Sequence, residues 1–292
     1  INKMIKNCIR KSKQIDFIKC QRYFVRSNAV HTQDQNIDHE NMEHFTKMKE
    51  RWWHTDGPMR GLHTLNTLRV PFIRDGLINT KRIKSEQKFT CQPLKDLKLL
   101  EVGCGGGILT EPLARIGANI TGLDANEELV ALAEEHRIKA KNLNNITYTV
   151  NTIEEYSIEN REQFDAVVVS EVLEHIIDKD SFIQACVRTL KPEGSIFITT
   201  LGKNFISWLC AIIIAERVLN VVPQNSHNWE LFIQPHETQR LLEIYNCSTL
   251  KVHGMFYNVY NDNWSWCSRT DISYALHAIK NVIEDDKEIY HE

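Results

Sequence analysis

The sequence predicts an α/β fold, a mostly parallel doubly wound sheet with helices on both faces, preceded by a helical extension. Three observations carry that expectation. From Leu97 onward, short apolar runs alternate with stretches of helical periodicity. The first apolar run empties into a turn crowded with glycine, "GCGGG" at 103–107, and the second ends on a carboxylate, Asp124. Alternation of this kind builds βαβ units whose parallel strands are buried on both faces. Ligands of such sheets sit beyond the carboxyl ends of the strands, where the strand order reverses.

The elements follow in order. The opening arm, "MIKNCIRKSKQIDFIKCQRYFVRS", is poor in acid, spaces aliphatic and aromatic residues among cations, and lacks the continuous apolar core of a secretory signal. Residues 1–30 therefore read as a mitochondrial presequence with cleavage near "RYFVRS", a basic tail without an address being the alternative. Residues 31–44 are polar and read as a linker. "HFTKMKERWWHTDGPMRGLHTLNTLRVPFIRDGL" then brings one or two helices ahead of the sheet. A domain is expected over 45–282, followed by a short tail, 283–292. Within it "KLLEVG", "NITGLD", "ITYTV", "FDAVVVS" and "SIFITT" read as strands, and "NEELVALAEEHRIKAKN" and "SFIQACVRTL" as helices.

Charge narrows the partners. Residues 1–26 carry eight Lys and Arg against Asp16 alone, so a formal charge of −3 hides a basic arm and an acidic body. An acidic body argues against nucleic acid, whose binding needs clustered cations to displace counterions. The eight cysteines are scattered, without a CxxC pair, and suggest neither a zinc ribbon nor a disulfide framework. A reducing interior such as the mitochondrial matrix suits them.

The glycines let the backbone turn sharply and approach a ligand closely. A dinucleotide loop is the first reading, but GxGxxG counted from Gly103 meets Ile108 where the third glycine belongs. Asp124, at the end of the second strand, suits a pair of ribose hydroxyls in either a nicotinamide or an S-adenosylmethionine site. Glu101 ahead of the loop and three adjacent glycines fit an amino-acid tail and a sulfonium better than a pyrophosphate.

After the fourth strand, "SEVLEH" sets Glu171, Glu174 and His175 at i, i+3 and i+4, which on a helix share one face. Two carboxylates and an imidazole there could hold a divalent ion. The alternative is an acid that caps a helix and a histidine that packs beside substrate. Further on, "NFISWLCAIIIAERVLNVVP" at 204–223 is apolar but interrupted by Ser207, Glu216, Arg217 and Asn220, and its uninterrupted run from Trp208 to Ala215 falls far short of the ~20 residues a span needs. It reads as a core helix or as a lid that touches a bilayer, within an insertion at 205–230.

These segments, with "RWWHTDGPMRGLHTLNTLRVPFIRD", "LKPEGSIFITTLGKNFISWL" and "GMFYNVYNDNW", resemble the O-methyltransferases of ubiquinone biosynthesis over roughly residues 44–280. The resemblance implies a Rossmann-like seven-stranded sheet of the class I methyltransferase kind. It also implies S-adenosylmethionine contacts at Arg69, Gly103, Asp124 and Ser170. A magnesium ion at Glu171, Glu174 and His175 is implied too, with methyl transfer to ring hydroxyls of a polyprenylated dihydroxybenzoate and a demethylubiquinol. An ion would serve a phenol of pKa ~10 by stabilising its oxyanion. His175 and His227 are the candidate bases, with metal-bound hydroxide an equal contender. The setting implied is peripheral, on the matrix side of the mitochondrial inner membrane, within a multi-enzyme biosynthetic complex. Other small-molecule methyl transfer, and a non-catalytic scaffold on the same fold, are the competing readings.

Overall fold

A computed structural model describes residue 36 and residues 45–203, 231–258 and 260–282. The chain divides into two units, Ile1–Ile37 and Asp38–Glu292. The segments read from the sequence as a presequence (1–30), a linker (31–44, apart from Asn36), an insertion (205–230, with His227) and a tail (283–292) lie outside the described residues.

The sheet grows from the runs read as strands. β1 (Lys98–Val102), β2 (Asn119–Asp124), β3 (Ile146–Val150), β4 (Phe164–Ser170) and β5 (Leu190–Leu201) are parallel. β6 (Cys247–Asn258), β7 (Asn263–Cys267) and β8 (Ser273–Lys280) complete it. The order is β3-β2-β1-β4-β5-β8-β6-β7, with β8 antiparallel to β5 and β6 antiparallel to both β8 and β7. The seven strands expected are present. The short β7 is added at the edge because the "YND" turn folds the chain back on β6 as a hairpin.

Alternation along each strand sends side chains to opposite layers. Leu100, Val167, Val169, Ile196 and Ile198 join Ile153, Phe182, Ile183 and Leu242 on one face. These last four come from α4 (Ile153–Glu159), α5 (Lys179–Thr189) and α6 (Pro235–Ile244). Leu99, Ala166, Val168 and Phe197 face the other way, against Leu65, Ile73 and Leu77 of α1 (Arg60–Asn79) and Leu113 of α2 (Thr110–Arg115). Every residue of β4 is buried, as a central strand covered twice must be. α3 (Glu127–Lys139) follows β2, capped by Asn126, whose side chain accepts from the N–H groups of Glu128 and Leu129.

The strand order reverses at β1, whose neighbours are β2 and β4, so the crevice opens beyond the carboxyl ends of these strands. Just beyond β5 and just ahead of α6, the Gln234 side-chain amide donates to the Lys203 carbonyl. No helix among the described residues is long and apolar enough to cross a membrane.

Candidate active site

The crevice is lined by the exits of β1, β2 and β4. After β1, Gly103 adopts φ +73°, and a Cβ there would collide with Val172 from the turn after β4. Glycine is thus required twice over, for the backbone and for the space. The Gly105 N–H donates to Asp124 Oδ2 at 2.7 Å, and the Asn126 N–H to Oδ1 at 2.8 Å. Asp124 therefore holds the loop that follows β1 against the end of β2. Burial raises its carboxyl, while the backbone N–H groups of Asn126, Gly105 and Ala125 pull the other way.

Arg69 enters from α1 on the face shared with Leu65, Leu68, Phe72 and Ile73, and is only 4% exposed. Its guanidinium is held in a fork. Nε and Nη2 donate to Asn66 Oδ1, Nη2 also to the Leu62 carbonyl, and Nη1 to Ser170 Oγ at 2.8 Å. Ser170 Oγ lies 2.7 Å from Thr199 Oγ1. Arg69 is therefore a buried cation and not a charge on a solvated helix face. Burial pulls Arg69 down to about 10, and Glu171 and Glu101 hold it up, so it stays charged at neutral pH.

Glu101 is buried beneath the loop and accepts from Thr110 Oγ1 at 2.6 Å. Burial pushes it up to about 7, against the Thr110 hydroxyl and Arg69.

The acid turn departs from expectation. "SEVLEH" does not form an α-helix with three side chains on one face. β4 ends at Ser170, and the Glu171 N–H donates to the Thr199 carbonyl, extending the β4–β5 ladder by one residue. The chain must then reverse at once, so Glu171 takes φ +57° and only Leu173–His175 closes, as a 3-10 turn. A non-glycine residue in that region is strained by about 1–3 kcal/mol, and such strain gathers at functional sites. Glu171 and Glu174 both belong to this turn. Burial raises both carboxyls, and Glu174 raises Glu171 further. Thr200 Oγ1 donates to Glu174 at 2.6 Å, whereas Glu171 Oε1 is buried without a partner among the described residues. His175 is half-buried and edge-on to Phe45 with centroids 5.6 Å apart. No group of three metal-ligating side chains forms among the described residues.

Four buried or half-buried carboxyls, Glu101, Asp124, Glu171 and Glu174, thus gather near the Arg69 cation. A further cation among them would draw the raised carboxyls back toward their charged form. The sequence also gave no role to Trp52, which packs on Gly105 and Gly106. The tandem tryptophan ahead of α1 was its only signal.

Residues 100–198 match the family model described as a methyltransferase domain. A SAM-dependent methyltransferase from Methanosarcina mazei shares the fold with a TM-score of 0.50 and 19% identity, over 65% of this chain and 94% of that one. Fold and domain match together define a doubly wound methyltransferase. The chain is also 40% identical over 255 residues to the mitochondrial ubiquinone biosynthesis O-methyltransferase of Bos taurus, covering 87% of this chain and 68% of the relative. It is 35% identical over 246 residues to the ubiquinone biosynthesis O-methyltransferase of Pelagibacter ubique (strain HTCC1062), covering 84% and 99%. The chain belongs to the ubiquinone biosynthesis O-methyltransferase family.

Proposed function

We propose that this protein moves a methyl group from S-adenosylmethionine to a ring hydroxyl of polyprenylated catechol and hydroquinone intermediates of ubiquinone synthesis, in the mitochondrion. Family membership supports O-methylation in that pathway. The observation that carries the cofactor reading is the pairing of Asp124, which holds the bare glycine loop after β1 through the Gly105 N–H, with the buried Arg69 guanidinium anchored on Ser170: a carboxylate suited to ribose hydroxyls and a cation suited to an amino-acid carboxylate.

Each residue has a physical task. Asp124, already committed to two backbone N–H groups, keeps lone pairs for ribose hydroxyls. Gly103 and its neighbours let the backbone approach the ligand. Arg69 offers its remaining N–H to the methionine carboxylate, and Ser170 orients the guanidinium. S-adenosylmethionine supplies an electrophilic methyl group, so the protein's work is to line up the acceptor oxygen and shed its proton.

Glu171 and Glu174 would offer carboxylate oxygens to a divalent cation, magnesium in our reading, and one of these, Glu171 Oε1, is buried without a partner among the described residues. A bound ion would lower the pKa of a chelating hydroxyl. His175 would complete that donor set or act as the proton acceptor, with His227 the other candidate base. Attachment to the matrix face of the inner membrane through the 204–230 segment, and assembly with other enzymes of the pathway, belong to the same proposal.

Calorimetry with S-adenosylhomocysteine, followed by methylation of a short-tailed catechol with chelator or magnesium, tests it. Micromolar binding and magnesium-restored turnover are expected. Absence of binding would sink the cofactor reading, and turnover indifferent to chelator would remove the ion alone.

A further inference from the structure

One tryptophan is left over by the residues assigned so far. Trp52 belongs to the short connection between a 3-10 turn, Lys49–Arg51, and α1. Its side chain is only 4% exposed, yet it is not packed into the main core. It lies on the glycine loop instead. A Cβ at Gly106 would begin 2.5 Å from Trp52 Nε1, and one at Gly105 2.9 Å from Cζ2. Two of the loop's glycines are therefore bare because an indole covers them. The indole N–H is buried and has no hydrogen-bond partner among the described residues. An unpaired buried donor costs roughly 1–3 kcal/mol, and a protein that keeps one at a ligand-binding loop has a use for it.

The connection that carries Trp52 is fastened on both sides of the crevice. Asn126, two residues beyond Asp124, donates to Thr46 Oγ1 at 3.0 Å, and Lys49 pairs with Glu128. His63 Nε2 lies 3.0 Å from the Trp52 carbonyl. The indole is thus held over the loop by its own strap of chain rather than by chance packing.

We infer that Trp52 is a cofactor-binding residue, its indole N–H donating to the carboxylate of the amino-acid tail of the bound cofactor. This rests on the S-adenosylmethionine reading above. The geometry is that of a ring lying on the bare loop, with the donor at the edge nearest Gly106. A carboxylate there would satisfy the orphan N–H and would be shared with Arg69, whose fork is anchored through the Leu62 carbonyl next to His63. Phe45, edge-on to Trp52 with centroids 6.3 Å apart and to His175 at 5.6 Å, joins the same strap to the acid turn.

The test compares Trp52→Phe, which keeps an aromatic ring and removes the donor, with Trp53→Phe. Trp53, whose indole N–H is likewise buried without a partner among the described residues, stacks on His136 with centroids 3.5 Å apart. Two ligands are titrated by calorimetry: S-adenosylhomocysteine, and methylthioadenosine, which lacks the amino-acid tail. Trp52→Phe should weaken S-adenosylhomocysteine by about tenfold or more, as loss of a charge-assisted hydrogen bond does, and leave methylthioadenosine within about twofold. Trp53→Phe should bind both as wild type does. If Trp52→Phe fails to fold, the wild-type chain still decides the matter. The Trp52 indole N–H resonance should shift and become protected from exchange with S-adenosylhomocysteine, and not with methylthioadenosine. Equal binding by wild type and Trp52→Phe, equal losses for both ligands, or an unmoved resonance would overturn the assignment. A wild-type chain that binds neither ligand would instead overturn the cofactor reading itself.

Discussion

Arg69 and Ser170, 101 residues apart in the chain, are joined by a 2.8 Å hydrogen bond that ties α1 to the end of β4. The bond brings a helix ahead of the sheet into the crevice, with its charge among acids. Replacing Arg69 by Ala would strand Asn66, the Leu62 carbonyl and two carboxylates, and should cost about 3–5 kcal/mol by denaturant unfolding. Lys keeps the charge but cannot reproduce the fork. Arg69→Lys should therefore stay folded and lose about tenfold in S-adenosylhomocysteine affinity, and wild-type affinity in that variant would remove Arg69 from the cofactor site.

Asp124→Asn separates ligand binding from loop support. The amide can accept from one of the two backbone N–H groups and presents its own N–H to the other, so a loss of about 1–2 kcal/mol in stability is expected. Affinity for S-adenosylhomocysteine should fall by at least tenfold. Asp165→Asn is the control. Its carboxylate accepts from the Lys98 N–H and Lys191 at the opposite end of the sheet, so stability should fall and affinity should not. Parallel losses of affinity in both variants would mean that Asp124 acts only through the fold.

Glu101 makes stability depend on pH. The folded chain raises its carboxyl from the ordinary 4.5 to about 7, chiefly by burial, so it binds a proton that the unfolded chain has released. The contribution is present below pH 4.5 and is lost as pH rises through about 7. At about 1.4 kcal/mol per pH unit, up to roughly 3 kcal/mol is at stake. Glu101→Gln should flatten the fall in unfolding free energy between pH 5 and 8. Identical slopes would assign the dependence elsewhere, with Glu171 and Glu174 next in line.

Gly103→Ala faces two penalties of different origin. The left-handed backbone costs an alanine about 1–2 kcal/mol, and the contact with Val172 adds a further 1–3 kcal/mol of overpacking. Adding Val172→Ala should recover the second penalty and not the first. A double-mutant cycle of thermal unfolding that shows no coupling would mean the loop and the acid turn move apart freely.

Much of the crevice was legible because its chemistry is local. Glycines after a first strand and Asp124 at the end of a second have their meaning within a few residues of chain, and the strands β1 to β5 announce themselves as apolar or β-branched runs. The acid turn misled because i, i+3, i+4 spacing speaks only for a helix, and the β4–β5 ladder forces Glu171 into a reversal that no spacing reveals. Trp52 was silent for another reason: its partners Gly105 and Gly106 lie more than fifty residues away in sequence. The position of β8 between β5 and β6 was equally hidden. Strand order is settled by which edges pair, and hydrophobic pattern carries no record of that.

The hydrogen bond from the Gln234 side-chain amide to the Lys203 carbonyl works as a doorway, tying the chain just after β5 to the chain just before α6. Two residues 31 positions apart are thus held together by a contact of their own, and the fold on either side is predicted to tolerate a change in what lies between. Swapping 204–230 for a short Gly-Ser linker should leave the melting temperature within a few degrees and S-adenosylhomocysteine binding unchanged, since loop length alone costs little. Collapse of the fold in that chimera would show the doorway to be a keystone instead.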